Sequence, residues 1–499
     1  MRDQPSMASA TRVLRARLPG GPPLSTVGAF WALLLVGVGL RLCAILTYSP
    51  AVVSPAVHDA ASYIDAAHYA LGGASLEPEG YPLFLRVLHA VSHSLTFAIV
   101  VQHAIGLATG VLLFLAVRRL GGSAWLGLIP AVAIWLNGDQ LFLEHAPLSE
   151  TLFTFVLTAM IFAGIRALEG GVRWAALAGA LGGALLVIRS AAVLLPVVEV
   201  AWLTLALVRL RVPWRRPAAT TLVAALLVTG AYAVVRHHDT GRWSAVLVDG
   251  SGWNLYARTA SFADCHRFHP PAGTARLCLS TPANRRLGPS YYLNLGGPAI
   301  AAFGGVPSHD ALLARFARAA IAGQPLDYLR VVGTDLARYV NPSVGPAWPN
   351  DFAGVEPLNF VPRGPAVDPS IRREVNRYYG TLRPPSATAA AHLLDYQRVA
   401  RITGPILLGL VLLGAAAVPL GRGPRRWAAV LLMAVAGEVV VTPVLVLHAE
   451  WRYVMPALGP LAAAAALGGW GLARCAHARL PGRTRPAEAP TADPVAAGR

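Results

Sequence analysis

The sequence predicts an all-α polytopic membrane protein with about ten transmembrane helices and an extracytoplasmic, α-rich or mixed domain. Composition is the first reason. Of 499 residues, 55% are hydrophobic and 13% are charged, whereas a soluble chain carries roughly a quarter charged residues. The second reason is that many apolar runs approach or exceed the ~20 residues that cross a bilayer.

The predicted spans are 27–47, 95–117, 124–143, 151–168, 174–188, 191–208, 218–235, 402–420, 427–447 and 453–472. They divide the chain into a polar cytoplasmic tail (1–25), a transmembrane module (26–235) with a first outer loop (48–82), an extracytoplasmic segment (236–401), C-terminal transmembrane helices (402–474) and a second cytoplasmic tail (475–499). Both tails are rich in Pro, Ala or Gly and Arg and are expected to be disordered.

The formal net charge is +17, and every basic residue is arginine rather than lysine. This usage indicates a GC-rich bacterial genome. The short loops at 118–119, 166–173, 209–216 and 422–426 are arginine-rich, which places them and both termini on the cytoplasmic side of the cell membrane. Nucleic-acid binding is not expected, because the arginines lie in membrane loops and not in a basic domain.

The first outer loop contains a short polar helix that we regard as the candidate catalytic segment. Asp59 and Tyr63 are four residues apart, and Gly72-Gly73 ends the helical pattern. Asp65 lies six positions after Asp59, so the two carboxylates point in different directions. A solvated loop carboxylate is the alternative interpretation for either residue.

Arginines at membrane level form a second set of candidates. Arg41 lies inside a predicted span, and Arg189 and Arg452 lie at outer ends. An arginine at this depth is costly unless it is paired, and its planar fork suits a phosphate. Snorkelling to lipid headgroups is the alternative. The sequence has no P-loop, GxGxxG unit, HExxH or CxxC motif. No metal ligands are therefore predicted, although a divalent cation is left open. Without a nucleotide site, the energy for a reaction must arrive with an activated substrate.

Cys265 and Cys278 lie in the same extracytoplasmic segment. We predict a disulfide between them, because the compartment is oxidising; two free thiols are the alternative. A helix is predicted over 311–339 from its apolar periodicity.

Three stretches resemble the GT-C superfamily of polyprenyl-phosphate-sugar-dependent membrane glycosyltransferases, near its ArnT/protein-O-mannosyltransferase-like branch. They read HDAASYIDAAHYALGG…GYPLFL from position 58, LIPAVAIWLNGDQLFLEHAPLSETLFTFVL from position 128, and LHAEWRYVMPALGPL from position 447. The resemblance covers 27–235 and, more loosely, 402–472. Many members have two adjacent acids in the first loop where this sequence has His58-Asp59, which leaves an acidic-pair or metal-bridging role open.

The resemblance implies an inverting glycosyltransferase that moves a sugar from a polyprenyl-phosphate donor to an extracytoplasmic glycan, lipid or protein acceptor. Asp59 would be the general base. The substrate-binding residues implied are His58, Tyr63, Glu144, Glu150, Arg189, Arg452 and Tyr453. The lipid bilayer is the remaining partner.

Two other classes stay open at this stage. A lipid or solute transporter or flippase would show symmetric repeats and broken helices, and a non-catalytic scaffold for envelope assembly would carry a degenerate site. The large, uneven outer segments favour an enzyme over a transporter, and His58-Asp59, in place of two adjacent acids, keeps the scaffold open.

Overall fold

The computed structural model describes residues 24–50, 58–68, 78–169, 171–240, 250–341, 343, 359–360, 369–382 and 386–479. Over these residues the chain is helical, without β-strands. The helices are α1 (Leu24–Thr47), α2 (His58–Ala66), α3 (Gly80–Val91), α4 (Leu95–Arg119), α5 (Ala124–Trp135), α6 (Gly138–Glu144), α7 (Ser149–Ala167), α8 (Val172–Ile188), α9 (Leu195–Arg209), α10 (Arg215–Thr240), α11 (Ser251–Ala260), α12 (Pro298–Phe303), α13 (Asp310–Gly323), α14 (Pro325–Val340), α15 (Pro369–Tyr379), α16 (Ala387–Val399), α17 (Gly404–Leu420), α18 (Pro424–Val446) and α19 (Trp451–Arg479).

The predicted polytopic architecture is confirmed. Among the described residues, seven helices are long and apolar enough to cross a membrane, or up to nine if α5–α6 and α16–α17 each count as one bent span. The predicted span at 174–188 corresponds to α8, a shorter apolar helix. All ten predicted spans therefore coincide with helical segments.

Helix α19 lies at the centre of the bundle, with 83% of its most apolar window buried inside the protein. Small residues make this possible, since the stretch 459–469 is almost entirely alanine and glycine apart from Pro460, Leu461 and Leu467. Gly468 approaches α17 so closely that an added Cβ would lie 1.9 Å from the Leu413 carbonyl oxygen. A larger side chain there would push the two helices apart. The helix also ends at Arg479, beyond the predicted 472.

Two predicted helices are interrupted. The span predicted at 124–143 breaks between α5 and α6, which meet at 56°; Asn137 caps α6 by accepting hydrogen bonds from the backbone amides of Asp139 and Gln140. The helix predicted over 311–339 is split into α13 and α14 because Pro325 starts a new helix at its first turn.

The loops gather into two groups, as the predicted topology requires. Arg119 and Glu169, from two predicted inner loops, form an ion pair at 2.5 Å, and Arg425 donates a hydrogen bond to the Leu120 carbonyl at 2.7 Å. The predicted outer segments meet instead around Asp59, at the other end of α19. Contacts of this kind agree with the predicted alternation of the loops across the membrane.

The orientation of the bundle is testable by accessibility. Single cysteines placed beside Asp59 and in α13 should react with a membrane-impermeant thiol reagent in intact cells, because arginine-rich loops stay in the cytoplasm. A cysteine in the loop 211–214 should react only after permeabilisation. Protection near Asp59 together with labelling at 211–214 would contradict the orientation.

The segment predicted to be extracytoplasmic has its own small core, and the predicted cysteine pair lies beside it. Trp253, Tyr256 and Phe316 are buried there with α11 and α13. Cys265 and Cys278 are joined as a disulfide, with their Cα atoms 5.8 Å apart. The bridge closes a short loop that has little regular structure beyond the 3₁₀ turn at 275–277.

We expect the Cys265–Cys278 bridge to be recovered as a linked peptide under non-reducing conditions. Closing a loop of this size contributes roughly 3 kcal/mol in the chain-entropy model, so reduction should lower the melting temperature of the purified protein. Cys43 and Cys475 are free and provide an internal control for alkylation. Four alkylatable thiols in quenched, non-reduced protein would show that the bridge does not form.

Candidate active site

Helix α2 presents Asp59 in its first turn and is held by an aromatic anchor one turn later. Tyr63 is buried; its hydroxyl lies 3.1 Å from Ser149 Oγ at the start of α7, and its ring meets that of Tyr81 edge-on at 4.9 Å. Tyr81 in turn donates to Gln102 Oε1 at 2.6 Å. Tyr63 therefore attaches α2 to the bundle, whereas Asp59, with about 30% of its side chain exposed, remains reachable.

Arg452, at the start of α19, is the centre of the cluster. Its Nη1 lies 2.5 Å from Asp59 Oδ2 and 3.7 Å from Glu150 Oε1. Its Nε donates to Glu450 Oε2 at 2.6 Å. One guanidinium thus faces three carboxylates that come from the first outer loop, the start of α7 and the turn before α19.

Arg189 completes the cluster from the turn after α8. Its Nη1 lies 2.6 Å from Glu150 Oε1 and donates to Ser149 Oγ at 2.8 Å. Both guanidiniums also face the Tyr453 ring, with Arg189 at 5.7 Å and Arg452 at 5.2 Å from its centroid. Tyr453 fixes their mutual position through cation–π contact.

The formal charge of this cluster bears on what it can bind. Two arginines (+2) face Asp59, Glu150 and Glu450 (−3), which gives −1 when all are ionised. A phosphate can join only if at least one guanidinium exchanges a carboxylate for it. Arg452 has the most carboxylate partners and is the obvious place for that exchange.

The structure brings together five of the predicted residues and adds others. Asp59, Glu150, Arg189, Arg452 and Tyr453 form one cluster. Its additional members are Ser149 and Glu450. Glu450 stands two residues before Arg452 in the LHAEWRYV stretch and is one of the few carboxylates that the sequence places near the membrane surface. The side chain of His58 lies outside the described residues.

Glu144 does not belong to this cluster, and its role in substrate binding stays a prediction. Its carboxylate is fully buried and accepts two hydrogen bonds from Arg41, each 2.8 Å long. Gln140 Nε2 donates to it at 3.1 Å, and His103 Nδ1 lies 3.0 Å away. With its oxygens occupied, Glu144 is the counter-ion that allows Arg41 to sit inside the bundle.

A pair of buried histidines extends the Arg41–Glu144 contact to the Tyr48 backbone. His145 Nε2 lies 3.1 Å from the Tyr48 carbonyl oxygen, so it must donate, and its Nδ1 lies 3.0 Å from His103 Nε2. Burial, together with the neighbouring His103, lowers the pKa of His145 to about 3. Since His145 is neutral, its Nδ1 accepts a hydrogen bond from His103 Nε2.

Asp139 ties the broken helix to the start of α19. Its Oδ2 accepts from Trp451 Nε1 at 3.0 Å, and its Oδ1 accepts from Gln397 at 2.8 Å and Arg401 at 3.0 Å. Trp451 precedes Arg452 directly. The break between α5 and α6 therefore helps to place the arginine that organises the cluster.

Among the described residues, no group of three or more His, Cys, Asp or Glu side chains is placed to hold a metal ion. The carboxylates around Arg452 are instead engaged by arginines. A divalent cation left open by the sequence has no ligand set in this part of the chain.

Neither the protein-family models nor the curated proteins include a match to this sequence. Among solved structures, the chain is similar to the crystal structure of ArnT from Cupriavidus metallidurans bound to undecaprenyl phosphate. The two share 15% sequence identity, with a TM-score of 0.38 over 90% of this chain and 78% of that chain. Values this low do not assign the chain to a family or an activity.

Proposed function

We propose that the protein is a membrane glycosyltransferase that moves a sugar from a polyprenyl-phosphate donor to a hydroxyl group on an extracytoplasmic acceptor. The observation that carries this proposal is the cluster around Arg452. Segments far apart in the chain converge to place an accessible carboxylate against two arginines. Carboxylate and guanidinium are the groups that this transfer requires, and the sequence resemblance of the same segments points to the same chemistry.

The arginines bind the donor phosphate. Before the donor arrives, Arg452 is neutralised by Asp59 and Glu450. A phosphate oxygen replaces Asp59 on Nη1, since a guanidinium fork pairs with phosphate as well as with carboxylate. Arg189 contributes a second positive charge from the other side of Tyr453. Together they stabilise the phosphate that departs with the electrons of the broken bond.

Displacement from Arg452 also activates Asp59. A carboxylate paired with an arginine is a weak base, because the cation favours its ionised form. Once the phosphate occupies Arg452, Asp59 accepts the proton of the acceptor hydroxyl. The acceptor oxygen forms a bond to the anomeric carbon while the carbon–phosphate-oxygen bond breaks, and the configuration at that carbon inverts. Donor binding thus precedes base activation.

Glu150 fixes the position of the two arginines relative to each other. It is almost fully buried and lies within ion-pair distance of both Arg189 and Arg452. Glu450 anchors Nε of Arg452, which leaves Nη1 directed at Asp59. These two acids position the cations and need not touch the sugar.

A transporter has one observation in its favour, which is the pair of bent helices α5–α6 and α16–α17. Broken helices that carry charges are common in transporters. Here, however, the break at 136–137 serves to place Asp139 against Trp451.

Purified protein should transfer radiolabelled sugar from a panel of polyprenyl-phosphate donors to an acceptor extract. Movement of lipid across vesicle membranes without sugar transfer would favour a transporter. The absence of both activities would favour a scaffold.

The arginine assignment predicts a separation of binding from turnover. Arg452→Gln and Arg189→Gln should each weaken donor binding by roughly tenfold or more, since a hydrogen bond to a charged group contributes about 1.5–3 kcal/mol. Titration of purified protein with polyprenyl phosphate would measure this directly. Arg338→Gln is a matched control, because Arg338 is at least as buried as either site arginine and its carboxylate partner, Asp335, lies outside the cluster. Unchanged affinity in both site variants would exclude the arginines as the phosphate site.

A further inference from the structure

A second polar site lies at the other end of α19. Here α17, α18 and α19 surround a pocket of about 390 Å³, lined by Arg422, Arg425, Arg474 and Trp470. Arg474 is 22 residues after Arg452 in the same helix, a distance of roughly 33 Å at 1.5 Å per residue. That separation matches the ~30 Å hydrocarbon core of a bilayer. The pocket therefore faces the membrane surface opposite the Asp59–Arg452 cluster.

The pocket exists because glycines bring the helices together without filling the space between them. An added Cβ at Gly471 would lie 2.9 Å from the Leu420 Cβ. Gly421 ends α17 and lines the pocket beside Arg422. Arg426 donates to the last carbonyls of α17, including those of Val418 and Gly421. The walls are thus built by backbone packing, and the arginines project into a preformed space.

The arginines of this pocket concentrate positive charge, with no carboxylate partner among the described residues. The guanidiniums of Arg425 and Arg474 lie 4.3 Å and 5.6 Å from the centroid of the Trp470 ring. Arg425 also donates from Nε to the Leu120 carbonyl, and its Nη2 lies beside Gly121. Among the described residues, no ion pair joins Arg422, Arg425 or Arg474 to a carboxylate. Cations held on one aromatic ring repel each other unless an anion joins them.

The surroundings favour an anion that carries acyl chains. Ala417, Leu420 and Leu467 form the apolar part of the wall. On α17, Leu412 and Leu413 are exposed on the apolar surface that leads toward this end of the helix. Tryptophan with arginine at a helix end is typical of the membrane interface, and basic pockets between transmembrane helices bind anionic headgroups.

We propose that this pocket binds the phosphate of an anionic phospholipid headgroup in the leaflet opposite the Asp59–Arg452 cluster. The guanidiniums of Arg422 and Arg474 pair with the phosphate. Arg425, held over the Trp470 ring, adds positive charge beside it, and the acyl chains follow the exposed face of α17. The bound lipid contacts both α17 and α19 at that surface. No step of sugar transfer is involved.

Native mass spectrometry of delipidated protein tests the site. Titration with phosphatidylglycerol should give an adduct bound about tenfold or more tightly than phosphatidylcholine. The double variant Arg422→Gln/Arg474→Gln should weaken the phosphatidylglycerol adduct by about tenfold or more, since each basic residue near an anionic lipid contributes on the order of 1 kcal/mol. It retains Arg425, whose contact with Leu120 supports folding.

The chain offers a matched control in Arg215→Gln/Arg216→Gln. Arg215 also lies over a tryptophan, Trp214, at 5.9 Å in another predicted inner loop, but neither residue lines this pocket. This variant should bind phosphatidylglycerol as the native protein does. Equal binding of the two lipids by native protein, or equal weakening in both double variants, would overturn the proposal.

Cys475 lines the pocket and provides a second readout. In a Cys43→Ser background, phosphatidylglycerol should slow alkylation of Cys475, and phosphatidylcholine should not. Inorganic phosphate is the third arm. Protection by millimolar phosphate equal to that by phosphatidylglycerol would show a site for soluble phosphate and overturn the lipid assignment. Neither readout requires a sugar donor, so the outcome is independent of transferase activity.

Discussion

Asp59→Asn should reduce the turnover number for sugar transfer by about 10²–10⁴-fold, the usual cost of removing a general base. The amide keeps the shape of the side chain and still accepts a hydrogen bond from Arg452 Nη1, which lies 2.5 Å from Asp59 Oδ2. It cannot take a proton from the acceptor. Donor affinity should not fall, because the phosphate-binding arginines remain and the carboxylate that the phosphate must displace from Arg452 is gone. Initial rates at saturating donor, with donor affinity measured in parallel, separate these two effects.

Asp65→Asn is the control for Asp59→Asn. Asp65 lies on the same helix, six residues later, and no ion pair joins it to Arg452. Both changes remove one negative charge from α2, so a nonspecific electrostatic effect would appear in both. We expect Asp65→Asn to retain nearly full turnover. Full activity in Asp59→Asn, or an equal loss in both variants, would refute the assignment of Asp59 as the base.

Arg41→Gln should be among the most destabilising single changes in the bundle. Arg41 and Glu144 are 2% and 0% exposed and share two hydrogen bonds. Removing one partner of a buried pair leaves the other charge uncompensated, which costs about 3–5 kcal/mol. Equilibrium unfolding of purified protein in detergent would measure the loss. If the variant is too unstable to purify, the yield of folded protein should fall strongly compared with the native protein.

Arg119→Gln gives a matched comparison for Arg41→Gln. Arg119 also pairs with a glutamate across two helices, but both side chains are about one-third exposed, so its loss should cost about 0–1 kcal/mol. Adding Glu144→Gln to Arg41→Gln should recover part of the stability, because the stranded charge is then removed. Equal destabilisation by Arg41→Gln and Arg119→Gln would show that burial does not govern these pairs.

The fold was predictable from local features of the sequence. Apolar runs such as the one ending at Thr47 and arginine-rich loops such as the one at Arg118 are sufficient to place spans and to alternate them. The breaks within helices were harder to predict from the sequence. Pro325 is a visible signal for the end of α13, but the bend at Asn137 depends on contacts made by α6 with α16 and α19.

Within the candidate site, the sequence identified the types of residue but not which acid pairs with which arginine. Asp59, Arg189 and Arg452 could be singled out because a carboxylate and arginines at outer span ends are costly unless they have a use. Glu144 and Glu150 are six residues apart with the same chemistry, and no local pattern separates them. Glu144 turns inward to Arg41, whereas Glu150 starts α7 facing Arg189.

By itself, then, the sequence determined a multi-pass helical membrane protein, its cysteine pair and the residue types of its candidate site, because hydropathy, charge and spacing are local properties. Tertiary structure alone decided which acid meets which arginine. Arg452 meets Asp59 across 393 residues, and Arg41 meets Glu144 across 103. Such contacts depend on how whole helices pack around α19, and helix packing is set by the combined shape of many side chains that no short stretch encodes.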